Sequence, residues 1–321
     1  MSKNIIKVII SIFIIYLLVK FNIINFLVFN NLLNNFHYVV YILVLMLITI
    51  PIGTFRWWLL LCSEKYNISY KNTYILYSTG LFFNIFMPGG AGGDLVKGFY
   101  LYKYVKKNQK TLAIFTIFVD RAIGLHSLLF IISTFGFIVS SKIFSNADLN
   151  HLFHLILLFM IFSIPLIFLL INFSAFFLEK LNKSNPNIFV DFIKEILKSL
   201  MIYKNRKLVL FKCWLLSLIN HSCILSCFYL TSLLLDINIM LYFEAAFIGG
   251  ISLITNSIPL TPGGIGIGET AFNYISQFFY KNENIAFGSI FFVTLRVLFN
   301  LVCLTGVASF VTLKSLEISI K

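Results

Sequence analysis

Two arginines stand inside long apolar runs: Arg121 between Ile114 and Leu125, and Arg296 between Ile290 and Leu301. An arginine at the centre of a membrane-length apolar helix costs about 2.5–3.5 kcal/mol to insert, so it needs a partner or a task. Each has an acid at the same distance upstream. Asp94 lies 27 residues before Arg121, and Glu269 lies 27 residues before Arg296. Each acid also closes a break rich in proline and glycine. The first runs Asn84-Ile-Phe-Met-Pro88-Gly89-Gly90-Ala91-Gly92-Gly93-Asp94, the second Asn256-Ser-Ile-Pro259-Leu-Thr-Pro262-Gly263-Gly264-Ile265-Gly266-Ile267-Gly268-Glu269.

Two chemistries fit this pattern. In one, Arg121 with Asp94 and Arg296 with Glu269 are buried ion pairs that lock each broken segment to the span after it. In the other, the guanidinium forks take a phosphate or another anionic headgroup, which their planar donor geometry suits. Both can hold in different states of one cycle. Gly89, Gly90, Gly263 and Gly264 remove side-chain bulk ahead of a helix start, where free amides favour an anion. An acid at that start competes for the same positive end. Asp94 and Glu269 therefore read either as helix caps or as protonatable groups coupled to transport. Lys97 falls one turn beyond Asp94, beside the acid. Asn84 and Asn256 either satisfy backbone freed by the breaks or touch a ligand.

Asp120 adjoins Arg121, but helix neighbours point about 100° apart, so Asp120 needs another partner or a proton. Arg56, followed by Trp57 and Trp58, suits an interfacial anchor or a headgroup-gathering residue. The histidines do not group as a metal or catalytic site, the cysteines show no metal or redox spacing, and Glu244 suggests no role. No cofactor is expected.

The elements that must position these residues are membrane spans. Of 321 residues, 59% are apolar and 12% charged, against about 45–50% and about 25% in globular proteins. Apolar runs predict full spans near 5–29, 38–61, 111–140, 152–173, 208–235 and 285–313. The first, behind Lys3 and Lys7, reads as an uncleaved span, because no small-residue cleavage pattern follows Val19. Segments 73–87 and 241–258 instead run into the two breaks. That is tolerated at membrane depth where the backbone is buried in protein or lines a wet cavity. A basic amphipathic stretch over 186–207 suits a helix lying on an anionic leaflet.

If both broken segments are re-entrant hairpins, nineteen lysines and arginines fall on one side, and only Lys142 and Lys281 on the other. By the positive-inside rule both termini are then cytoplasmic. The net charge of +13 is this topology signal rather than a nucleic-acid footprint. The first hairpin enters from the cytoplasm and the second from outside. The expected fold is thus a single all-α polytopic domain over 1–321, with six full spans and two opposed hairpins. Its halves, roughly 1–145 and 150–321, form an inverted repeat, the arrangement that places a transporter's binding site near the midplane.

Taken in order, Phe83-Asn84, Pro88-Gly89-Gly90, Gly93-Asp94, Lys97, Asp120-Arg121, Gly124-Leu125 and Ile258-Pro259 through Glu269 resemble the lysylphosphatidylglycerol synthase transmembrane region. Arg56-Trp57 resembles that family's basic–aromatic pair. The resemblance covers essentially the whole chain and implies lipid translocation, with candidate roles for Asp94, Arg121, Glu269 and Arg296. Two departures stand out. Lys97 occupies a place where the family commonly has arginine, which weakens a bidentate phosphate contact. Nothing here resembles the aminoacyl-transferase domain, so synthesis of the aminoacyl lipid is not expected.

The expectation is a flippase of the inner membrane for an anionic lipid or lipid-linked headgroup, partnered by lipids and not nucleic acid, and compatible with a homo-oligomer. Without a P-loop it would be passive or driven by gradients. The alternatives are an intramembrane transferase with Asp94 or Glu269 as general base, and a membrane scaffold that transports nothing.

Overall fold

A computed structural model describes residues 33–64, 66–85, 87, 92–105, 110–183, 187–237, 240–258, 261, 264–280 and 287–315. Among the described residues the secondary structure is helical, with no strand. In chain order the helices are α1 (Phe36–Ser63), α2 (Tyr70–Asn84), α3 (Gly92–Tyr104), α4 (Lys110–Ile138), α5 (Ser140–Phe144) and α6 (Ala147–Asn182). They continue as α7 (Ile188–Lys204), α8 (Lys207–Leu234), α9 (Tyr242–Asn256), α10 (Ile267–Phe279), α11 (Phe287–Cys303) and α12 (Gly306–Ser315).

Four helical stretches among these residues are long and apolar enough to cross a membrane: Phe36–Ser63, Ala113–Ile138, Lys207–Leu234 and Ile290–Leu313. They coincide with four of the expected spans. The expected span at 152–173 falls within α6, which runs for 36 residues through Pro165 and carries a shorter apolar helix over Ala147–Ser163. The expected span at 5–29 lies outside the described residues.

The two segments read as broken become two pairs of short helices. The α2 and α3 helices have 15 and 13 residues, and α9 and α10 also have 15 and 13. At 1.5 Å per residue each is about 20 Å long, short of the roughly 30 Å hydrocarbon core. Within each pair the helices pack on each other. Where α2 meets α3 they touch through glycine. A Cβ on Gly93 would lie 2.0 Å from the Gly80 carbonyl oxygen.

Local signals set the helix starts. Ser69 caps α2, its Oγ accepting the Asn72 amide at 3.2 Å. Asn146 caps α6, its Oδ1 accepting the Asp148 and Leu149 amides at 3.0 and 3.1 Å. At the start of α10, Gly264 and Gly266 have φ of +70° and +93°, a region that glycine enters at little cost and residues with a side chain rarely adopt.

A large apolar core joins α1, α4, α8, α9, α10 and α11. Its centre is a set of buried phenylalanines: Phe228 stacks on Phe272 with centroids 5.8 Å apart, and Phe272 on Phe291 at 4.5 Å. These contacts fix α8, α10 and α11 against one another and so hold the charged residues of the last two in register. A smaller cluster of Leu60, Phe115, Tyr203 and Cys213 seats α7 against α1, α4 and α8.

Candidate functional site

The spacing of 27 residues carries through to both predicted ion pairs. On α3 and α4, the Arg121 Nε donates to Asp94 Oδ2. The other oxygen of Asp94 meets Lys97 Nζ at 2.6 Å, so one carboxylate holds two cations. Lys97 is buried, and its ammonium lies 5.1 Å from the Trp57 ring centroid and 4.9 Å from that of Tyr77. Such aromatic faces favour a cation. Arg121 differs from its partners in access: 48% of its side-chain surface is open, against 12% for Asp94 and 5% for Lys97. Asn84 spans the break, its Oδ1 accepting the Gly93 amide at 2.5 Å, and so ties the end of α2 to the start of α3.

The second pair is more closed. The Nε of Arg296 meets Glu269 Oε1 at 2.8 Å, with 13% of the arginine side chain open. Its Nη2 donates to Glu269 Oε2 at 3.0 Å, to Asn256 Oδ1 at 2.9 Å and to the Gly264 carbonyl at 3.0 Å. Glu269 also accepts the Gly266 amide at 2.9 Å. It is therefore a helix cap and an ion-pair partner at once, and Arg296 braces the turn that precedes α10. Asn256, unlike Asn84, is oriented toward the arginine.

Asp120 finds its partner in Arg56. The two side chains form a two-point fork, Nε to Oδ1 at 2.7 Å and Nη2 to Oδ2 at 2.8 Å. Arg56 Nη1 donates in addition to Ser217 Oγ of α8 at 2.7 Å. Both charges are buried, so Arg56 faces the bundle interior rather than outward as an anchor. Asp120 and Arg121, adjacent in sequence, thus connect two ion pairs into one cluster: Arg56, Lys97 and Arg121 against Asp94 and Asp120. Among these five residues one positive charge is in excess.

A further charged pair sits at the other end of α4. Lys142, just beyond Ile138, meets Glu244 at 2.6 Å, and the Tyr280 hydroxyl donates to the same carboxylate at 2.5 Å. Asp120 lies 18 residues before Ile138, which separates the two ends by about 27 Å at the helical rise. The sequence offered no role for Glu244, and its partners lie 102 residues before it and 36 after it. The signal that could have found Asp120 and Glu244 is the rule that a buried carboxylate takes a cation.

Of the other predicted site residues, Gly264 lies against Asn256, while Gly89, Gly90 and Gly263 are outside the described residues. No group of three or more histidine, cysteine, aspartate or glutamate side chains placed to hold a metal occurs among the described residues.

Long apolar helices with buried charge pairs between them define a polytopic helical membrane protein. The chain belongs to the lysylphosphatidylglycerol synthase transmembrane-region family, whose sequence pattern it matches over residues 4–305. No curated protein and no solved structure matches it.

Proposed function

We propose that this chain is a lipid flippase, moving an anionic lipid or lipid-linked headgroup between the leaflets of the inner membrane. The observation that carries this reading is the cluster around Asp94. One carboxylate holds two cations, Lys97 and Arg121, and nearly half of the Arg121 side chain is open. A phosphate arriving there replaces Asp94 on the guanidinium without leaving that carboxylate unpaired, because Lys97 remains on it. The excess positive charge of the five-residue cluster favours an anionic headgroup over a neutral one. Family membership supports a lipid ligand, since the family is named for the membrane region of a lipid synthase.

In this reading α2–α3 and α9–α10 are two re-entrant hairpins of opposite orientation, and the halves of the chain form an inverted repeat. Their matching lengths and the matching acid–arginine spacing support that. Rocking of one half against the other would expose the headgroup first to one leaflet and then to the other. Both termini are cytoplasmic, and no chemical step is required of the protein.

The test is lipid scrambling in proteoliposomes with labelled anionic and zwitterionic lipids, comparing wild type, Arg121→Ala and Arg296→Ala. Faster movement of anionic lipid that depends on Arg121 is expected. Anionic lipid moving equally fast with Arg121→Ala would remove the cluster from the mechanism. Turnover of a lipid product by the purified protein would favour the transferase instead.

A further inference from the structure

Asp94, Asp120, Glu244 and Glu269 each hold a lysine or an arginine. Glu64, which follows the last residue of α1, is 8% exposed and, alone among the described buried carboxylates, makes no ion pair. Its neighbour is Tyr203 of α7, 1% exposed. Both carboxylate oxygens of Glu64 and the Tyr203 hydroxyl are buried; the hydroxyl faces the carboxylate and favours its ionised form, but no hydrogen bond of full geometry closes at any of the three.

We propose that Glu64 is a proton-binding site whose charge state sets how firmly the amphipathic helix α7 is held against α1. An ionised carboxylate taken out of water without a cation is strongly disfavoured, so the group binds a proton instead. Among the described residues no cation faces it. Tyr66, in the segment after α1, and Tyr203, from α7, are the titratable groups that face it; burial pushes both hydroxyls up, so they stay neutral. Cys213 of α8 lies beside Tyr203 and brings no cation. Arg56, eight residues back on α1, is committed to Asp120. Burial pushes the Glu64 carboxyl up to about 7, which places its charge change in the physiological range.

The coupling runs through packing. Tyr203 shares its cluster with Leu60 of α1, Phe115 of α4 and Cys213 of α8, against Ile196 and Leu200 of its own helix. Once ionised, Glu64 needs water or a cation, and reaching either requires the Tyr203 side of α7 to yield. Lys198 of the loosened helix is paired with Glu195 at 2.8 Å, but exposed Lys204 at its end and exposed Arg206 and Lys207 just after it attract it to an anionic leaflet. The same cluster abuts the candidate site, since the Cys213 thiol donates to the Arg56 carbonyl at 3.5 Å. The proposal holds whether or not the chain transports lipid.

The experiment places a nitroxide on Lys198→Cys in a Cys62→Ser background. The full chain is held in nanodiscs of three parts zwitterionic to one part anionic phospholipid, and spectra are taken from pH 5.5 to 8.5. Label mobility is expected to rise in a single-proton transition centred near neutrality, to stay flat and low with Glu64→Gln, and to titrate at a displaced midpoint with Tyr203→Phe. A flat wild-type profile, or a transition that persists in Glu64→Gln, overturns the proposal. Should Glu64→Gln fail to fold, infrared spectra of the wild type decide. A protonated-carboxyl band lost between pH 6 and 8 supports the site, and its absence refutes it.

Discussion

Arg56 and Asp120 are joined at two points across α1 and α4, Nε to Oδ1 at 2.7 Å and Nη2 to Oδ2 at 2.8 Å, with both side chains buried. Removing one partner leaves the other charge buried and unpaired, which typically costs about 3–5 kcal/mol, whereas replacing both with apolar residues is often close to neutral. Arg56→Met and Asp120→Leu are therefore each expected to lower the unfolding temperature in detergent sharply. The double variant is expected to recover most of the loss. Additive losses would mean that the fork contributes little to holding the bundle.

The cluster at Asp94 separates binding from release. Asp94→Asn removes the charge that competes with a phosphate for Arg121, while Lys97 and Arg121 stay in place. Anionic phospholipid retained through purification is expected to rise on the order of tenfold, which corresponds to about 1.4 kcal/mol. Scrambling is expected to slow, because the headgroup is no longer displaced by the returning carboxylate. Phosphate analysis of the purified protein checks the first effect. Glu269→Gln is expected to change retention far less, because Arg296 keeps Asn256 and the Gly264 carbonyl.

Glycine contact, rather than side-chain packing, sets the approach of α2 to α3. A Cβ on Gly93 would stand 2.0 Å from the Gly80 carbonyl oxygen, and one on Gly98 only 3.6 Å from the Ile117 methyl. Gly93→Ala is expected to destabilise by about 1–3 kcal/mol, as overpacking commonly does. It should also displace Asp94 from Arg121 and lower scrambling. Gly98→Ala is expected to be neutral or slightly stabilising, since alanine is the better helix former by about 1 kcal/mol. Thermal unfolding of the two variants side by side distinguishes contact from propensity.

Much of this site was legible in the sequence, and the reason is local. Arg121 and Arg296 interrupt apolar runs, each shares a spacing of 27 residues with an acid, and both acids follow a break. Those facts predict two ion pairs and two interrupted segments without knowing how the helices pack. The partner of Asp120 was not legible. Arg56 is 64 residues away, and only the packing of α1, α4 and α8 brings it and Ser217 together. The Lys142–Glu244 pair escaped for the same reason, joining residues on opposite sides of α6, α7 and α8. The extent of α6 was only partly legible: the apolar run over 152–173 marks the middle of a helix of 36 residues, which also takes in the polar residues at both of its ends.

Glu64 gives the stability of the protein a pH dependence whose sign can be stated. Its ordinary value of 4.5 is raised to about 7 in the folded chain, so the folded state binds the proton more tightly than the unfolded one. Stability therefore falls as pH rises from 4.5 toward 7, and this contribution levels off above that. The full excursion corresponds to about 3 kcal/mol at 1.36 kcal/mol per unit. Glu64→Gln isolates the effect: it is expected to unfold at a higher temperature than wild type at pH 8.0 and to match it at pH 5.0. A Glu64→Gln advantage of equal size at both pH values would show that burial of the amide, not removal of a titrating charge, accounts for the difference.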